Sequence, residues 1–323
     1  MRTSIRRMLL AASVVLSLAS LAACEPAPPP VVSKVSNTVK VKCGLSTKNV
    51  PVDWYFPSGA PRGLVWLQHG FTESKSDWAD FGPKVAAKGY LAMATTLPTA
   101  DIQGCTVQNL GNNTDFLRNI AAMFAGVGNP SSALGVSHAD AAKKAGRTGE
   151  ALPQKLTFSG HSAGGEAVLY VANHLRSSHG STFAKLKGLV LQDSVKSFVG
   201  SNTDTALVGL NNTPLPIYAL ASPKSTCNSD QSGTRAVIER LATRSFHGAQ
   251  VTSGNHGDIF GPAQNALGST TCGTPKAKNT SAAQTLTLGW FGDQFAGTRT
   301  ASFYPGGATY QGLLAAGTIS TLP

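Results

Sequence analysis

The sequence predicts an α/β fold: a mostly parallel, twisted sheet with helices on both faces. Short apolar runs with β character alternate along the chain with segments of helix length, which is the pattern of parallel sheets. No internal repeat and no second composition block is present, so one domain is predicted. One strand-like run leads directly through a serine among glycines into a helix-like segment, and this junction is the natural place for a functional site.

The individual elements follow from the apolar runs and the segments between them. The predicted strands are Val50–Phe56, Gly63–Gln68, Tyr90–Thr95, Leu156–Ser159, Leu186–Gln192, Leu215–Ala221 and Ala249–Thr252. The predicted helices are Ser76–Lys88, Leu110–Ala125, Gly164–Arg176, Thr234–Arg244 and Ser281–Phe295. The polar stretch 129–153 is predicted as an insertion, either an added helix or a mobile lid.

The N-terminus indicates export. Residues 1–23 hold three arginines and then an apolar run too short to span a bilayer, as in a secretory signal. The signal ends in Leu-Ala-Ala-Cys, which resembles the lipobox of bacterial lipoproteins and implies acylation of Cys24 and anchoring to a membrane. Plain secretion, with Cys24 incidental, is the alternative. A Pro-rich spacer is predicted over 24–37 and the folded domain over 38–323.

The basic charge does not indicate a nucleic-acid ligand. The net charge is +11, and it becomes +8 once the signal is removed. Lysine and arginine are scattered, without a run of five or an aromatic-interleaved basic strip. We therefore expect no nucleic-acid partner, and we expect a monomer.

Four cysteines remain beyond Cys24, an even number that predicts two disulfides in an exported chain. Three connectivities are possible. Cys43–Cys105 with Cys227–Cys272 is the pairing expected if each bridge joins loops near one edge of the sheet. No CxxC or metal-ligand spacing is present, so no metal site is predicted.

Ser162 lies in "LTFSGHSAGGEAVLYVA", a Gly-x-Ser-x-Gly motif between a buried strand and a helix. In a nucleophile elbow, the positions two before and two after the serine must be nearly free of side chain, and Gly160 and Gly164 occupy them. Because glycine and serine are abundant in this chain, the motif alone is weak evidence. A phosphate-binding loop is the rival interpretation, but its Lys-Ser/Thr and G-x-G-x-x-G spacings are absent.

The strand 63–68 ends in His69-Gly70-Phe71. In a fold of this kind the loop after that strand supplies one backbone N–H to an oxyanion, and the residue after the nucleophile supplies the other. Phe71 and Ala163 are the predicted donors. His69 precedes the serine and is interpreted as a structural brace of the oxyanion loop.

His256 is the predicted catalytic base. It follows the strand 249–252 at its carboxyl end, where ligands collect in parallel sheets, whereas His247 enters the same strand from the other end. The acid is less determined by the sequence. Asp193 ends the strand Leu186–Gln192 directly, and Asp230 comes late in the loop after the next strand. Asp193 is favoured, with Asp230 as the alternative.

These residues resemble the α/β-hydrolase superfamily across most of the mature chain, and its chlorophyllase and secreted polyesterase (cutinase-like, PET-hydrolase-like) branches in particular. "HGFTESKSDWADFGPKVAAKGYLAMATT" is similar to their oxyanion strand, helix and next strand, and "GHSAGG" to their elbow. Chlorophyllase-like members also take the acid from the strand after the elbow and follow the catalytic histidine by x-Asp, which corresponds here to Asp193 and His256-Gly257-Asp258. Ala163 departs from both branches, since polyesterases usually carry methionine there and chlorophyllases arginine.

The sequence thus predicts a cofactor-free serine hydrolase that cleaves carboxylic esters through an acyl-enzyme, with Ser162, His256 and Asp193 as its triad. Two alternatives stay open. One is a peptidase or amidase on the same fold, and the other is a non-catalytic envelope lipoprotein on a hydrolase scaffold.

Overall fold

A computed structural model describes residues 32–323 of the chain. Its centre is one nine-stranded sheet with the order β1-β2-β4-β3-β5-β6-β7-β8-β9. The strands are β1 Ser33–Cys43, β2 Ser46–Phe56, β3 Leu64–Gln68, β4 Leu91–Thr95, β5 Leu156–His161, β6 Leu186–Gln192, β7 Ile217–Ala221, β8 Gly248–Val251 and β9 Ile319–Thr321. The predicted class, a mostly parallel sheet, is confirmed.

The six inner strands β4-β3-β5-β6-β7-β8 all run parallel, while β1, β2 and β9 are antiparallel to their neighbours. Strands β3, β4 and β5 are buried at every position because helices cover both of their faces. This explains why the sequence shows them as continuous apolar runs. Their carboxyl ends meet at one edge of the sheet, and the loops leaving that edge carry the candidate site.

Ten α-helices lie in the described part of the chain. They are α1 Phe81–Ala87, α2 Thr114–Ala125, α3 Ala133–Lys144, α4 Ala163–Ser178, α5 Gly180–Phe183, α6 Asn202–Asn211, α7 Ser232–Arg240, α8 Ala266–Cys272, α9 Ala277–Ala296 and α10 Ala308–Ala315. One apolar core packs α2, α3, α4, α6 and α7 against one face of the sheet, and a second packs α1, α9 and α10 against the other. No helix among residues 32–323 combines the length and the apolar character that crossing a bilayer requires.

The two edge strands differ from the prediction. β1 begins at Ser33, so residues 33–37 pair with β2 in the sheet instead of belonging to the predicted spacer. The strand alternates exposed and buried side chains, a half-buried pattern that lacks the apolar run used to find the inner strands. β9 has only three residues. The predicted signal, Cys24 and residues 24–31 of the predicted spacer lie outside the described residues.

The stretch 129–153 contains helix α3, which is packed against β1 rather than over the carboxyl edge. Asn37 Nδ2 donates to the Ser137 carbonyl at 2.7 Å, and the His138 ring lies against Trp54 and Phe56 at 5.6 and 5.9 Å. Of the two interpretations of this insertion, the added helix is therefore the one that the structure contains.

Both disulfides are present with the expected pairing. Cys43–Cys105 joins the end of β1 to the loop after β4, and Cys227–Cys272 joins the loop after β7 to α8. Both bridges lie in loops at the carboxyl edge of the sheet. Disulfides of this kind persist in oxidising compartments, which agrees with an exported protein.

We expect the double substitution Cys227→Ser and Cys272→Ser to lower the free energy of unfolding by about 2–4 kcal/mol. The bridge spans 45 residues of chain, so its loss releases loop-closure entropy to the unfolded state. Urea unfolding of the oxidised wild type and the double variant measures the difference. Reducing agent should lower the unfolding midpoint of the variant only by breaking Cys43–Cys105, its remaining disulfide. An unfolding midpoint of the oxidised variant equal to that of the wild type would contradict a structural role for Cys227–Cys272.

Candidate active site

Ser162 occupies a strained turn between β5 and α4. Its backbone has φ 53° and ψ −125°, a region that a non-glycine residue adopts only when the surrounding structure forces it. A Cβ on Gly160 would overlap the Gly164 carbonyl, and one on Gly164 would overlap the carbonyl of His69. The two glycines are therefore required by close backbone packing, and the turn has the form of a nucleophile elbow.

Phe71 and Ala163, the predicted oxyanion donors, directly follow Gly70 and Ser162 in the chain. Ala163 begins α4, where the first N–H groups of a helix have no intrahelical partner. Gly70 packs so closely that a Cβ there would lie 2.5 Å from Ser162 Cβ. Within residues 32–323, neither the Phe71 nor the Ala163 N–H is bonded to a protein acceptor.

Asp193 and His256 are in direct contact. Asp193 follows β6 directly, with φ 44°, and its Oδ2 accepts from His256 Nδ1 at 2.7 Å. The Ser222 N–H donates to Asp193 Oδ1 at 2.9 Å, its hydroxyl donates to Oδ2 at 2.5 Å, and Asn228 Nδ2 lies 3.3 Å from both oxygens. The carboxylate is thus fully occupied as an acceptor, and it holds the imidazole with its Nε2 directed away from Asp193.

Burial alone would raise the pKa of Asp193, which is 5% exposed. The hydrogen bond and the charge of His256, followed by the two Ser222 donors, outweigh this effect and hold the pKa below its ordinary value. Asp193 is therefore ionised at neutral pH, the state that an orienting acid requires.

Asp230, the alternative acid, does not reach His256. It is exposed, and its positive φ of 53° belongs to a left-handed turn that also includes Ser229 and Gln231. Of the two candidates left open by the sequence, the structure brings Asp193 to the histidine.

Ser162 follows His161, whose ring contacts the ring of His256. Among the described residues, no hydrogen bond joins Ser162 directly to His256. The ring of His161 lies 4.4 Å from the ring of His256. His256 is 8% exposed and Ser162 is 7% exposed. Catalytic hydrogen bonds are often long without substrate and tighten when it binds, so this separation is compatible with a base role for His256.

A buried carboxylate beside the elbow was not predicted from the sequence. Glu73, whose side chain is 10% exposed, contacts His161 Nδ1 at 2.8 Å through Oε2. The same oxygen accepts from the Gly70 N–H at 2.6 Å. A carboxylate five residues after the end of β3, at the carboxyl edge, was the only available signal. Its partner lies 88 residues away in the chain and could not be read from the sequence.

The other histidines do not enter the site chemistry. His69 is fully buried, burial lowers its pKa, and its Nδ1 lies 2.7 Å from the Gly70 carbonyl, which fits a brace of the oxyanion loop. His247 contacts the carbonyls of Leu241 and Pro323 at the opposite edge of the sheet. The remaining three are His138, on the insertion helix, and His174 and His179, at the end of α4.

No protein-family model matches the chain, and no curated protein matches it. Solved structures do. One is a dienelactone hydrolase from Anabaena variabilis ATCC 29413, 14% identical, with a TM-score of 0.45 over 82% of this chain and 98% of that one. The other is an esterase from the fungus Rhizomucor miehei, 13% identical, with a TM-score of 0.54 over 84% of this chain and 86% of that one. The sheet topology and the similarity to the fungal esterase show the α/β-hydrolase fold.

Proposed function

We propose that the protein is a serine hydrolase that cleaves carboxylic esters through an acyl-enzyme. The observation that carries the proposal is the 2.7 Å contact between Asp193 Oδ2 and His256 Nδ1, in loops at the same sheet edge as the strained Ser162 elbow. A buried acid that orients an imidazole near an elbow serine is the arrangement that activates a serine hydroxyl. Because fold alone does not determine reaction, the proposal depends on this site and not on the neighbours.

In the proposed reaction, His256 Nε2 takes the proton as Ser162 Oγ attacks the ester carbonyl carbon. The N–H groups of Phe71 and Ala163 hold the oxyanion, each contributing about 3 kcal/mol. The tetrahedral intermediate collapses by breaking the bond to the alkoxy group, which leaves with the proton from His256. Water then attacks the acyl-enzyme as His256 takes its proton. The bond between the acyl carbon and Oγ breaks as His256 returns this proton to Oγ, which releases the carboxylic acid and regenerates Ser162.

Exposed apolar side chains support an apolar ester as the substrate. Phe71 is 49% exposed beside the elbow, Ile102 is 98% exposed in the loop after β4, and Phe198 is 88% exposed in the loop after β6. All three loops leave the carboxyl edge of the sheet. Large apolar side chains that are exposed on one side of a protein are typical of surfaces that bind apolar ligands.

Export and lipid anchoring through Cys24 remain part of the proposal. The two disulfides support an oxidising compartment. A cell-envelope location would place the site outside the cytoplasm, whether the chain is anchored or released.

The proposed function is tested by labelling pure protein with a fluorophosphonate and mapping the adduct, beside rate measurements on p-nitrophenyl esters of varied acyl length and on peptide anilides. We expect one adduct, on Ser162, and hydrolysis of the esters with longer, apolar acyl chains preferred. Faster cleavage of the anilides than of the esters would favour the peptidase alternative. Absence of an adduct and of hydrolysis would favour a non-catalytic lipoprotein.

A further inference from the structure

We propose that Glu73 and His161 form a buried ion pair that positions both the oxyanion loop and the loop of the base around Ser162, so that both are positioning residues for the reaction. This inference rests on the proposed ester hydrolysis. It concerns residues that lie beside the triad without touching the reacting atoms.

The Glu73–His161 pair connects three loops at the carboxyl edge. Glu73 Oε2 accepts from the Gly70 N–H at 2.6 Å and lies 2.8 Å from His161 Nδ1. On the other side of the ring, His161 Nε2 donates to the His256 carbonyl at 2.7 Å. One continuous chain of hydrogen bonds therefore joins the loops after β3, β5 and β8.

The partners determine the protonation of His161. A carbonyl oxygen only accepts, so Nε2 carries a proton. An ionised Glu73 also only accepts, so Nδ1 must carry a proton as well, and the ring is an imidazolium. Only a doubly protonated ring can donate to a carboxylate and to a carbonyl at the same time.

The charges around the ring agree with this state. Burial opposes the charge on both groups, but the attraction between Glu73 and His161 outweighs it, so that the pKa of Glu73 is lowered and the pKa of His161 is raised. Asp193 adds a smaller attraction to His161. The other titratable groups that face the pair are His69 and His256, and the Phe260 ring covers the imidazole at 4.6 Å. Asp77 acts on Glu73 from the following turn.

The contacts of the pair leave little freedom to the groups that would react. A Cβ on Gly70 would lie 2.5 Å from Ser162 Cβ and 3.1 Å from both Glu73 Oε2 and the His161 carbonyl. The Gly70 peptide is therefore held tightly, and the next N–H in the chain is that of Phe71, the proposed oxyanion donor. At its other end, the pair holds the backbone of the proposed base itself. A displacement of about 1 Å at such positions can cost about 100-fold in rate.

The test uses the full-length protein and the variants Glu73→Gln and His161→Phe. Glutamine has the shape of glutamate, but without the charge His161 becomes neutral, and a neutral ring cannot donate on both sides. We expect kcat on p-nitrophenyl esters to fall about 10- to 100-fold in both variants, with KM changed by less than about twofold. Rates are expressed per site titrated with a fluorophosphonate, so that misfolded protein does not count.

Two further readouts test the effect of the pair on the rate and the protonation of His161. Because the raised pKa of His161 means that its proton is present at low pH and lost as pH rises through that pKa, the ratio of wild-type to Glu73→Gln kcat should narrow toward alkaline pH. In ¹⁵N-histidine NMR, both His161 ring nitrogens should be protonated in the wild type at about pH 7, where an ordinary imidazole with a pKa of about 6.5 is mostly neutral. The kcat ratio would not change with pH for a pair that only stabilises the fold, whereas the NMR readout tests the ion pair itself.

Asp293→Asn is the matched control. Asp293 is also buried, and it accepts from the Thr300 N–H at 2.9 Å at the end of α9, away from the carboxyl edge. We expect it to lower Tm without changing kcat per site. A Glu73→Gln kcat within about twofold of an active wild type, or a singly protonated His161 ring at about pH 7, would overturn the positioning role. A wild type that hydrolyses no ester would overturn the proposed function, and with it the catalytic role of the pair.

Discussion

Ser162→Ala should lower kcat/KM for p-nitrophenyl esters by about 10⁴-fold or more. Removing the hydroxyl removes the atom that forms the acyl-enzyme, and the oxyanion donors alone leave only a small residual rate. The substitution also replaces a strained serine by a residue of similar size, so we expect the fold to persist. Steady-state rates with the enzyme at high concentration measure the residual activity.

Ser159→Ala is the matched control for this prediction. Ser159 lies on β5 three residues before Ser162, fully buried, and its hydroxyl donates to the Val190 carbonyl at 2.9 Å. Its loss should cost about 1 kcal/mol of stability and leave the rate unchanged. Ester hydrolysis that survives Ser162→Ala would show that another group is the nucleophile and would end the proposed mechanism.

Asp193→Asn should lower kcat by about 10⁴-fold, while Asp230→Asn should leave it unchanged. An asparagine amide can offer either its oxygen or its NH₂ to the imidazole, and the Ser222 N–H, which bonds Oδ1, already requires the oxygen at that position. The NH₂ group then faces Nδ1 of His256, which fixes the wrong tautomer and leaves Nε2 protonated, so the ring can no longer take the proton from the serine.

The pair of variants also tests the pH dependence of stability. Because the pKa of Asp193 is lowered in the folded protein, its contribution to stability is present above the ordinary aspartate value of about 3.9 and is lost as pH falls through the lowered pKa. Acid unfolding of Asp193→Asn should therefore depend less steeply on pH than that of the wild type. Loss of activity in Asp230→Asn with retention in Asp193→Asn would reverse the assignment of the acid.

The inner strands could be predicted because burial on both faces requires apolar side chains at consecutive positions. β6 agrees with its prediction at both ends, and β3 and β4 each begin one residue later than predicted. β1 could not be predicted in the same way. Half of its side chains are solvated, and its position depends on pairing with β2 rather than on its own composition.

The sequence contains a local signal for the elbow, because a side chain on Gly160 would overlap the backbone of Gly164 four residues later. It also determined that the candidate groups follow strands at one edge, since parallel strands end together. Which carboxylates contact the histidines at this edge follows from the tertiary structure alone. Asp193 meets His256 across 63 residues, and Glu73 meets His161 across 88. Such contacts arise from the register of neighbouring strands and the course of their loops. A hydrogen bond between segments far apart in the chain produces no periodic pattern of residues, so the sequence does not predict it.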